Sequence, residues 1–117
     1  LITARTSSLV ERRAADLGIP HVIQGCHDKG LALQQLVTLL GIPLSQSAFM
    51  GDDLPDLSAI RRAGLSIAPA NAHPWVAQRV HLQTASSGGQ GAVREVCDWL
   101  IEVQQQRENL LRVWLGP

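Results

Sequence analysis

The chain of 117 residues is long enough for one domain with a core, since 45% of its residues are hydrophobic, although only 3% are aromatic. Ten Lys and Arg residues balance ten Asp and Glu residues, so nothing in the charge balance indicates the basic face that binds nucleic acid, and we expect no nucleic-acid partner. No apolar stretch approaches the length of a transmembrane helix and no signal peptide is recognisable, so we expect no membrane partner.

The two cysteines indicate the redox environment of the protein, and the first residue indicates whether the sequence is a fragment. Cys26 and Cys97 lie far apart and match no CxxC metal or redox pattern. We therefore expect two free, buried thiols in a reducing cytoplasm. The chain starts at Leu1, without Met and inside a predicted strand, so we expect a fragment of a longer protein.

The N-terminal half alternates short apolar runs with longer helical patterns, which is typical of βαβ units around a parallel sheet. Residues 1–3 are predicted to end a strand. A capping box of Ser8 and Glu11 then begins a helix that continues to about Leu17. A short strand follows over residues 21–24.

A second helix is predicted from Lys29 to Leu40, with leucines and a valine on its apolar side. Asp28 can cap its beginning, and Gly41 ends it. Residues 44–47 form a short turn or a single helical turn before the next strand. This half of the chain therefore predicts two strands, each followed by a helix.

The C-terminal half continues the alternation of strand and helix. Its predicted elements, in chain order, are a strand over 48–50, a helix over 55–62, a strand over 65–68, a helix over 74–79, a strand over 80–83 and a long helix from 92 to about 111. A loop rich in Ser and Gly over 86–91 precedes the last helix, and residues 112–117 form a tail.

Three carboxylates, those of Asp52, Asp53 and Asp56, fall within five residues directly after the strand predicted over 48–50. Crowded carboxylates raise each other's pKa, and a hard cation such as Mg²⁺ relieves the repulsion. Open α/β sheets bind ligands at the carboxyl ends of their strands. The alternative is a helix N-terminus carrying acids, which the helix dipole favours. The position of Gly51 between strand and acids favours the metal site.

Other side chains occupy places that a phosphate site would use. Lys29 could neutralise a phosphate, although an isolated Lys is by default a solvated surface group. Thr3 could donate to phosphate and Arg5 could bind an anion, whereas Thr hydroxyls at strand ends often satisfy backbone groups instead. The glycines over 88–91 could cradle an anion or could form a hinge or turn.

Taken in order, these features resemble the haloacid-dehalogenase (HAD) superfamily of phosphatases. Thr3 matches its second motif, Lys29 its third, and residues 51–57 its fourth, acidic motif. In particular the chain is similar to the 3-deoxy-D-manno-octulosonate 8-phosphate (Kdo 8-phosphate) phosphatases. The stretches that carry this resemblance are 11–19, 24–29, 68–74 and 88–96.

The resemblance implies a Rossmann-like α/β fold over 1–117, with a mostly parallel sheet, helices on both faces and the first strand missing. It implies Mg²⁺-dependent hydrolysis of Kdo 8-phosphate to Kdo and phosphate, in the cytoplasm, during lipopolysaccharide biosynthesis. The reaction would pass through an aspartyl-phosphate. The residues to which it assigns roles are Thr3, Lys29, Asp53 and Asp56 in catalysis, Asp52 as metal ligand and Arg5 as substrate contact.

Each of these roles is specific. Asp52 would bind Mg²⁺ directly, while Asp53 and Asp56 would hold metal-bound waters or orient Lys29. Thr3 would bind the phosphoryl group in transfer, and Lys29 would balance the charge around it. Arg5 would contact the anionic sugar acid.

The chain also departs from the family. No Asp-x-Asp precedes Thr3, so the strand with the nucleophile and the general acid and base lies upstream, and we expect the chain alone to be inactive. Ala4 replaces the usual Gly between Thr and Arg, and Asn71 stands where the family usually has Asp.

The family forms tetramers in which the C-terminal tail of one subunit approaches a neighbour's active site. We therefore expect a homo-oligomer, a tetramer, in which Val113, Trp114 and Leu115 form such a tail. The alternative is an apolar end that folds on its own helix. The rival interpretation of the whole chain is a non-catalytic HAD-like module for oligomerisation or binding, attached to an acylneuraminate cytidylyltransferase, because similar domains occur there.

Overall fold

The main sheet has three parallel strands in the order β1-β2-β3, in a computed structural model that describes residues 1–116. The strands are β1 (Ala48–Met50), β2 (Leu65–Ala68) and β3 (Leu82–Gln83). The register pairs the last residue of β1, Met50, with Ile67 of β2. The predicted α/β class and parallel pairing are confirmed, although β3 is two residues shorter than predicted.

A second, smaller piece of parallel structure lies at the N-terminus. Ile2 and Ile23 form a single parallel bridge, in which Thr3 N donates to Ile23 O over 2.9 Å and Ile23 N donates to Leu1 O over 2.8 Å. The strands predicted over 1–3 and 21–24 are thus present only as this bridge. Within residues 1–116 no strand joins the bridge to β1, so the sheet is divided.

Helices and short 3-10 turns connect the strands. The helices within residues 1–116 are α1 (Ser8–Asp16), α2 (Lys29–Leu40), α3 (Leu57–Arg62), α4 (Pro74–Ala77), α5 (Ala92–Val103) and α6 (Arg107–Leu115). The 3-10 turns are Leu44–Gln46 before β1 and Leu54–Asp56 before α3. The helix predicted over 55–62 therefore begins as a 3-10 turn, and the one predicted over 74–79 ends two residues early.

The core is aliphatic, as the composition predicts, and it consists of two small clusters. In the first, Leu33 and Val37 of α2 pack against Ala59 and Ala63 at α3, with Phe49 of β1 beside them. The second cluster is centred on Ile60, Ala68 and Val76. Phe49 contacts both clusters, so β1 lies where they meet. The structure thereby fixes α2 and α3 against the strand that leads into residues 51–56, which we call the acidic loop.

Two helix ends differ from the prediction. The cap of α1 is Ser7 and not Ser8, because Ser7 has the extended backbone that lets its Oγ accept from Leu9 N over 3.2 Å. The C-terminal helix predicted from 92 to 111 is divided in two, since Gln105 adopts a left-handed φ of 56°. Gln106 N donates to Ile101 O at this break, which is the bond of a Schellman motif.

The division of that helix also places helical residues at the C-terminus, where a tail was predicted. Residues 112–115 belong to α6, so the predicted boundary between helix and tail at residue 112 is wrong. Residue 117, the last of the predicted tail, lies outside the described residues. Cys26 and Cys97 are free, as predicted, but the prediction that both are buried is wrong, since Cys26 is only partly buried and Cys97 is exposed on α5. Over the described part of the chain, no helix has the length and apolarity needed to cross a membrane.

Candidate active site

The acidic loop begins where β1 ends. Gly51 N donates to Ile67 O over 3.1 Å and so extends the pairing with β2 by one residue. Asp53 then caps the 3-10 turn, because its Oδ1 accepts from Leu54 N over 2.8 Å while Asp56 Oδ2 accepts from Asp53 N over 3.1 Å. This reciprocal capping box, which satisfies backbone N–H groups at the turn, fixes the conformation of the loop.

Asp56 is the buried centre of the loop, with 5% of its surface exposed. Its Oδ1 accepts from Lys29 Nζ over 2.6 Å, and its Oδ2 accepts from the backbone amides of Asp52 and Asp53 over 2.9 and 3.1 Å. A Cβ on Gly51 would lie only 2.5 Å from the Cβ of Asp56, so the glycine makes room for this carboxylate. The buried charge is therefore paired and fully hydrogen-bonded.

Lys29 is the first residue of α2, and its side chain is only 14% exposed. Asp28 caps the helix by accepting from Leu31 N over 3.0 Å. Gly30 allows α2 to approach α3, because a Cβ there would lie 2.5 Å from Ser58 O, and Gly30 N donates to Ser58 Oγ over 2.9 Å. The interpretation of Lys29 as a solvated surface lysine is wrong, since packing of α2 on α3 directs it to the acidic loop.

Sequence reasoning missed the contact between Gly30 and Ser58. A glycine at the second position of a helix was the available signal, because glycine is a poor helix former and its presence there suggests a close approach. The partner in α3 could not be read from the sequence, since Gly30 and Ser58 lie 28 positions apart.

Asp52 and Asp53 are exposed whereas Asp56 is buried, and Asp52 differs from both of the other acids in its hydrogen bonding. No donor from residues 1–116 forms a hydrogen bond with its carboxylate, whereas the carboxylates of Asp53 and Asp56 are engaged in the loop. Its oxygens are of the type that Mg²⁺ prefers. Over the same residues, however, no group of three His, Cys, Asp or Glu side chains is placed to hold a metal. The carboxylate of Asp52 thus fits Mg²⁺ in ligand type, but the described residues do not by themselves form a metal site.

A cleft of about 410 Å³ separates the Ile2 bridge from β1, and we call it the strand cleft. Leu1 and Ile2 form one wall, Ala48–Met50 the other, and Leu33 and Leu36 of α2 the base. Its polar end is formed by Lys29, Asp52 and Asp56 together with Gly51. The cleft therefore runs between two unjoined pieces of parallel sheet and ends at the acidic loop.

Thr3 and Arg5 lie near this region without lining the strand cleft. Thr3 ends the bridged segment, and its Oγ1 accepts from Arg5 N over 3.2 Å. Arg5 is exposed, and its carbonyl accepts from Gly25 N over 3.0 Å. The structure thus brings together Lys29, Asp52 and Asp56, while the side chains of Thr3, Arg5 and Asp53 remain outside the cleft.

Two carboxyl groups have a lowered pKa, and backbone N–H groups are the main cause for both. The N–H of Leu31 lowers the pKa of Asp28, the cap of α2. The N–H of Ala85 lowers the pKa of Glu95 in α5, and Ser86 contributes further. A carboxylate that accepts such bonds is favoured in its charged form. Both groups therefore hold backbone in place as anions.

The family model for haloacid dehalogenase-like hydrolases matches residues 5–96, which is most of the chain. This chain belongs to that family. The match includes Lys29 and the whole acidic loop, so the hydrolase family accounts for the part of the structure in which the candidate site lies.

Curated relatives of this chain are phosphatases by name. It is 44% identical over 109 residues to the 3-deoxy-D-manno-octulosonate 8-phosphate phosphatase of Yersinia pestis, an alignment that covers 93% of this chain and 58% of the relative. The phosphatase of the same name from Escherichia coli strain K12 is 45% identical over 104 residues, covering 89% and 55% of the two chains. The chain thus spans little more than half the length of these relatives.

Several solved structures that superpose on this chain are also phosphatases by name. A phosphatase of the same name from Moraxella catarrhalis, solved with magnesium ion, phosphate ion and KDO, superposes with a TM-score of 0.92 at 44% identity, covering 97% of this chain and 65% of that one. A probable YrbI family phosphatase from Pseudomonas syringae pv. phaseolica superposes with a TM-score of 0.93 at 43% identity, and the match covers 99% of this chain and 66% of that one. The predicted HAD-like fold is confirmed.

Proposed function

We propose that this chain is the larger part of a Mg²⁺-dependent phosphatase domain that hydrolyses Kdo 8-phosphate. The observation that carries the proposal is the buried Lys29–Asp56 ion pair of 2.6 Å beside the exposed carboxylate of Asp52. A fixed cation and an available anion at the end of a strand suit a phosphate ester held with a divalent metal. The identity of 44% to phosphatases named for this substrate supports its choice.

The nucleophile belongs to a strand that we place in the strand cleft. The cleft lies between two parallel pieces, so an extended segment could pair with both and deliver its carboxyl end to Lys29 and Asp52. An Asp there would attack phosphorus, and the bond to the sugar oxygen would break while a second Asp protonates that oxygen. Water, deprotonated by the second Asp, would then cleave the aspartyl-phosphate to phosphate and the free nucleophile.

The residues of this chain then have distinct tasks. Lys29, oriented by Asp56, balances negative charge on the phosphoryl group, and Asp52 holds the metal, which when bound would neutralise the phosphoryl oxygens. Asp53 fixes the conformation of the acidic loop by capping the 3-10 turn, and it could hold a metal-bound water. Thr3 Oγ1 accepts from Arg5 N, so its O–H remains available to donate to the phosphoryl group, and the Arg5 side chain would contact the sugar acid.

The assembly is a further part of the proposal. Val113, Trp114 and Leu115 lie on α6 with 77%, 80% and 79% of their surface exposed, so they do not pack on the rest of the chain. Exposed apolar residues next to one another suit a subunit contact, and we propose a homotetramer. We place the enzyme in the cytoplasm and its reaction in lipopolysaccharide biosynthesis, as the resemblance implies.

The rival, a non-catalytic module beside a cytidylyltransferase, has one observation in its favour. The described residues alone do not group three metal-ligating side chains. The upstream sequence separates the two candidates: a strand ending in Asp-x-Asp supports the phosphatase, and a cytidylyltransferase domain supports the fused arrangement. The absence of Mg²⁺-dependent phosphate release from the protein with its upstream region would support the rival.

The test uses the extended protein, by which we mean this chain joined to its natural upstream region. We expect it to release phosphate from Kdo 8-phosphate with Mg²⁺ and to stop when the metal is chelated. Asp52→Asn should reduce kcat at least about a hundredfold, because a metal ligand loses its charge. Asp98→Asn is the control, since Asp98 pairs only with Arg94 on the surface of α5. Full activity of Asp52→Asn would contradict the assigned ligand.

A further inference from the structure

A second cavity, which we call the loop cavity, shares Asp52 with the strand cleft. It measures about 160 Å³ and is bounded by Met50, Gly51 and Asp52 on one side and by Pro69, Gly88 and Val93 on the other. Its far wall is made by Pro69 in the turn after β2, by Gly88 of the loop over residues 84–91, which we call the rim loop, and by the first residues of α5. Asp52 stands between the two cavities.

The rim loop is fastened to the turn after β2. Gly88 N donates to Asn71 Oδ1 over 2.8 Å, and Ala70 N donates to Ser86 O over 3.1 Å. Thr84 Oγ1 also donates to Ser86 O, over 2.6 Å. The first two bonds join the turn after β2 to the rim loop, so a shift of one segment would move the other, and the third bond lies within the rim loop.

Glu95 holds the same loop from the side of α5. Its Oε2 accepts from Ala85 N over 2.9 Å and its Oε1 from Ser86 N over 3.1 Å. One carboxylate thus binds two consecutive amides, and bonds to an ionised acceptor are stronger than neutral ones. Because Ser86 O in turn binds Ala70 N, Glu95 acts on both segments of the far wall.

The inference rests on the proposed function. If the phosphoryl group binds beside Asp52, the rest of a phosphorylated sugar acid must occupy a neighbouring space. The strand cleft is filled by the upstream strand in our proposal, so the loop cavity is the described space that adjoins Asp52 and stays open. We propose that the loop cavity receives the part of the sugar acid that Arg5 does not contact, and that Glu95 is a positioning residue that sets the far wall of this cavity through the rim loop.

The test compares two substrates in the extended protein. Glu95→Gln replaces one accepting oxygen by an NH₂ group that cannot accept from a backbone amide. We expect the KM for Kdo 8-phosphate to rise about tenfold, which corresponds to the loss of one charge-assisted hydrogen bond, with kcat unchanged. Hydrolysis of acetyl phosphate, which has no sugar acid, should keep its kcat and KM. A purely structural role would move both substrates together or neither.

Matched variants complete the experiment. Glu102 lies on α5 like Glu95, and among the described residues its carboxylate pairs only with Arg107. Glu102→Gln should therefore change the KM of neither substrate. Asn71→Ala removes the acceptor for Gly88 N and should raise the KM for Kdo 8-phosphate, whereas Asn71→Asp keeps an accepting oxygen and should restore it. Asn71→Ala also serves as the test if Glu95→Gln lowers the melting temperature enough to prevent assay.

The outcomes separate this inference from the proposed function. If the unsubstituted protein hydrolyses Kdo 8-phosphate and neither Glu95→Gln nor Asn71→Ala raises its KM, the inference is overturned and the function stands. An equal rise in KM for both substrates would also overturn it. If the unsubstituted protein hydrolyses acetyl phosphate but not Kdo 8-phosphate, the proposed substrate is wrong and the inference falls with it.

Discussion

Asp56 is the residue on which the geometry of the site depends. Its two oxygens serve three donors, Lys29 Nζ and the amides of Asp52 and Asp53, and it lies almost completely out of water. The amides lie in the loop that carries the candidate metal ligand, so one carboxylate aligns both the cation and the acidic loop. A buried pair of this kind is costly to break from one side, because the remaining charge has no partner.

Asp56→Asn should therefore destabilise the extended protein by about 3 kcal/mol, since it leaves the Lys29 ammonium without its counter-charge. Asp98→Asn is the control, because its pair with Arg94 is exposed and such pairs contribute less than about 1 kcal/mol. Urea unfolding at neutral pH measures both free energies of unfolding. Equal losses for the two variants would show that burial does not govern the Lys29–Asp56 pair.

At the scale of elements, α2, β1 and β2 begin and end at the predicted residues. Their signals are local: Asp28 and Gly41 mark the ends of α2, and short apolar runs mark the strands. The break between α5 and α6 could not be predicted, because a glutamine, Gln105, takes the left-handed conformation in which a glycine is expected.

The cap of α2 predicts a dependence of stability on pH. The N–H of Leu31 holds the pKa of Asp28 below its usual 3.8, so the contribution of the charged cap is present above pH 3.8 and is lost as the pH falls through the lower folded value. Asp28→Ala should be less stable than the unsubstituted protein at pH 7, and the difference should shrink below pH 3.8. Asp28→Asn, which keeps an accepting oxygen, should show a smaller deficit. Urea unfolding between pH 2 and 7 tests this, and a constant difference would contradict it.

At the scale of the whole molecule, the divided sheet is the main feature. The β1 edge that faces Ile2 has no strand partner within residues 1–116, although it runs into the candidate site. Unpaired edges attract further strands. This arrangement gives a physical reason to expect that the chain alone, lacking the segment that we place in the strand cleft, is inactive.

We predict that the 117-residue chain alone releases no phosphate from Kdo 8-phosphate, whereas the extended protein does. Amide hydrogen exchange adds a structural test. Gly51 N bonds to β2, and amides alternate along a strand, so Met50 N points into the strand cleft. Exchange at Met50 should be much slower in the extended protein, while Gly51 serves as the control. Mg²⁺-dependent hydrolysis by the chain alone, or equal protection of Met50 in both proteins, would contradict the prediction.

The α/β class, most element boundaries, the family and the acidic loop follow from the amino-acid sequence, because caps, apolar periods and motifs act over a few neighbouring residues. The acid that binds Lys29, the division of the sheet and the residues that hold the rim loop follow from packing in three dimensions. Lys29 and Asp56 are 27 positions apart, and they meet because Gly30 allows α2 to pack on α3. Contacts of this length depend on how helices and strands pack, which local residue patterns do not specify.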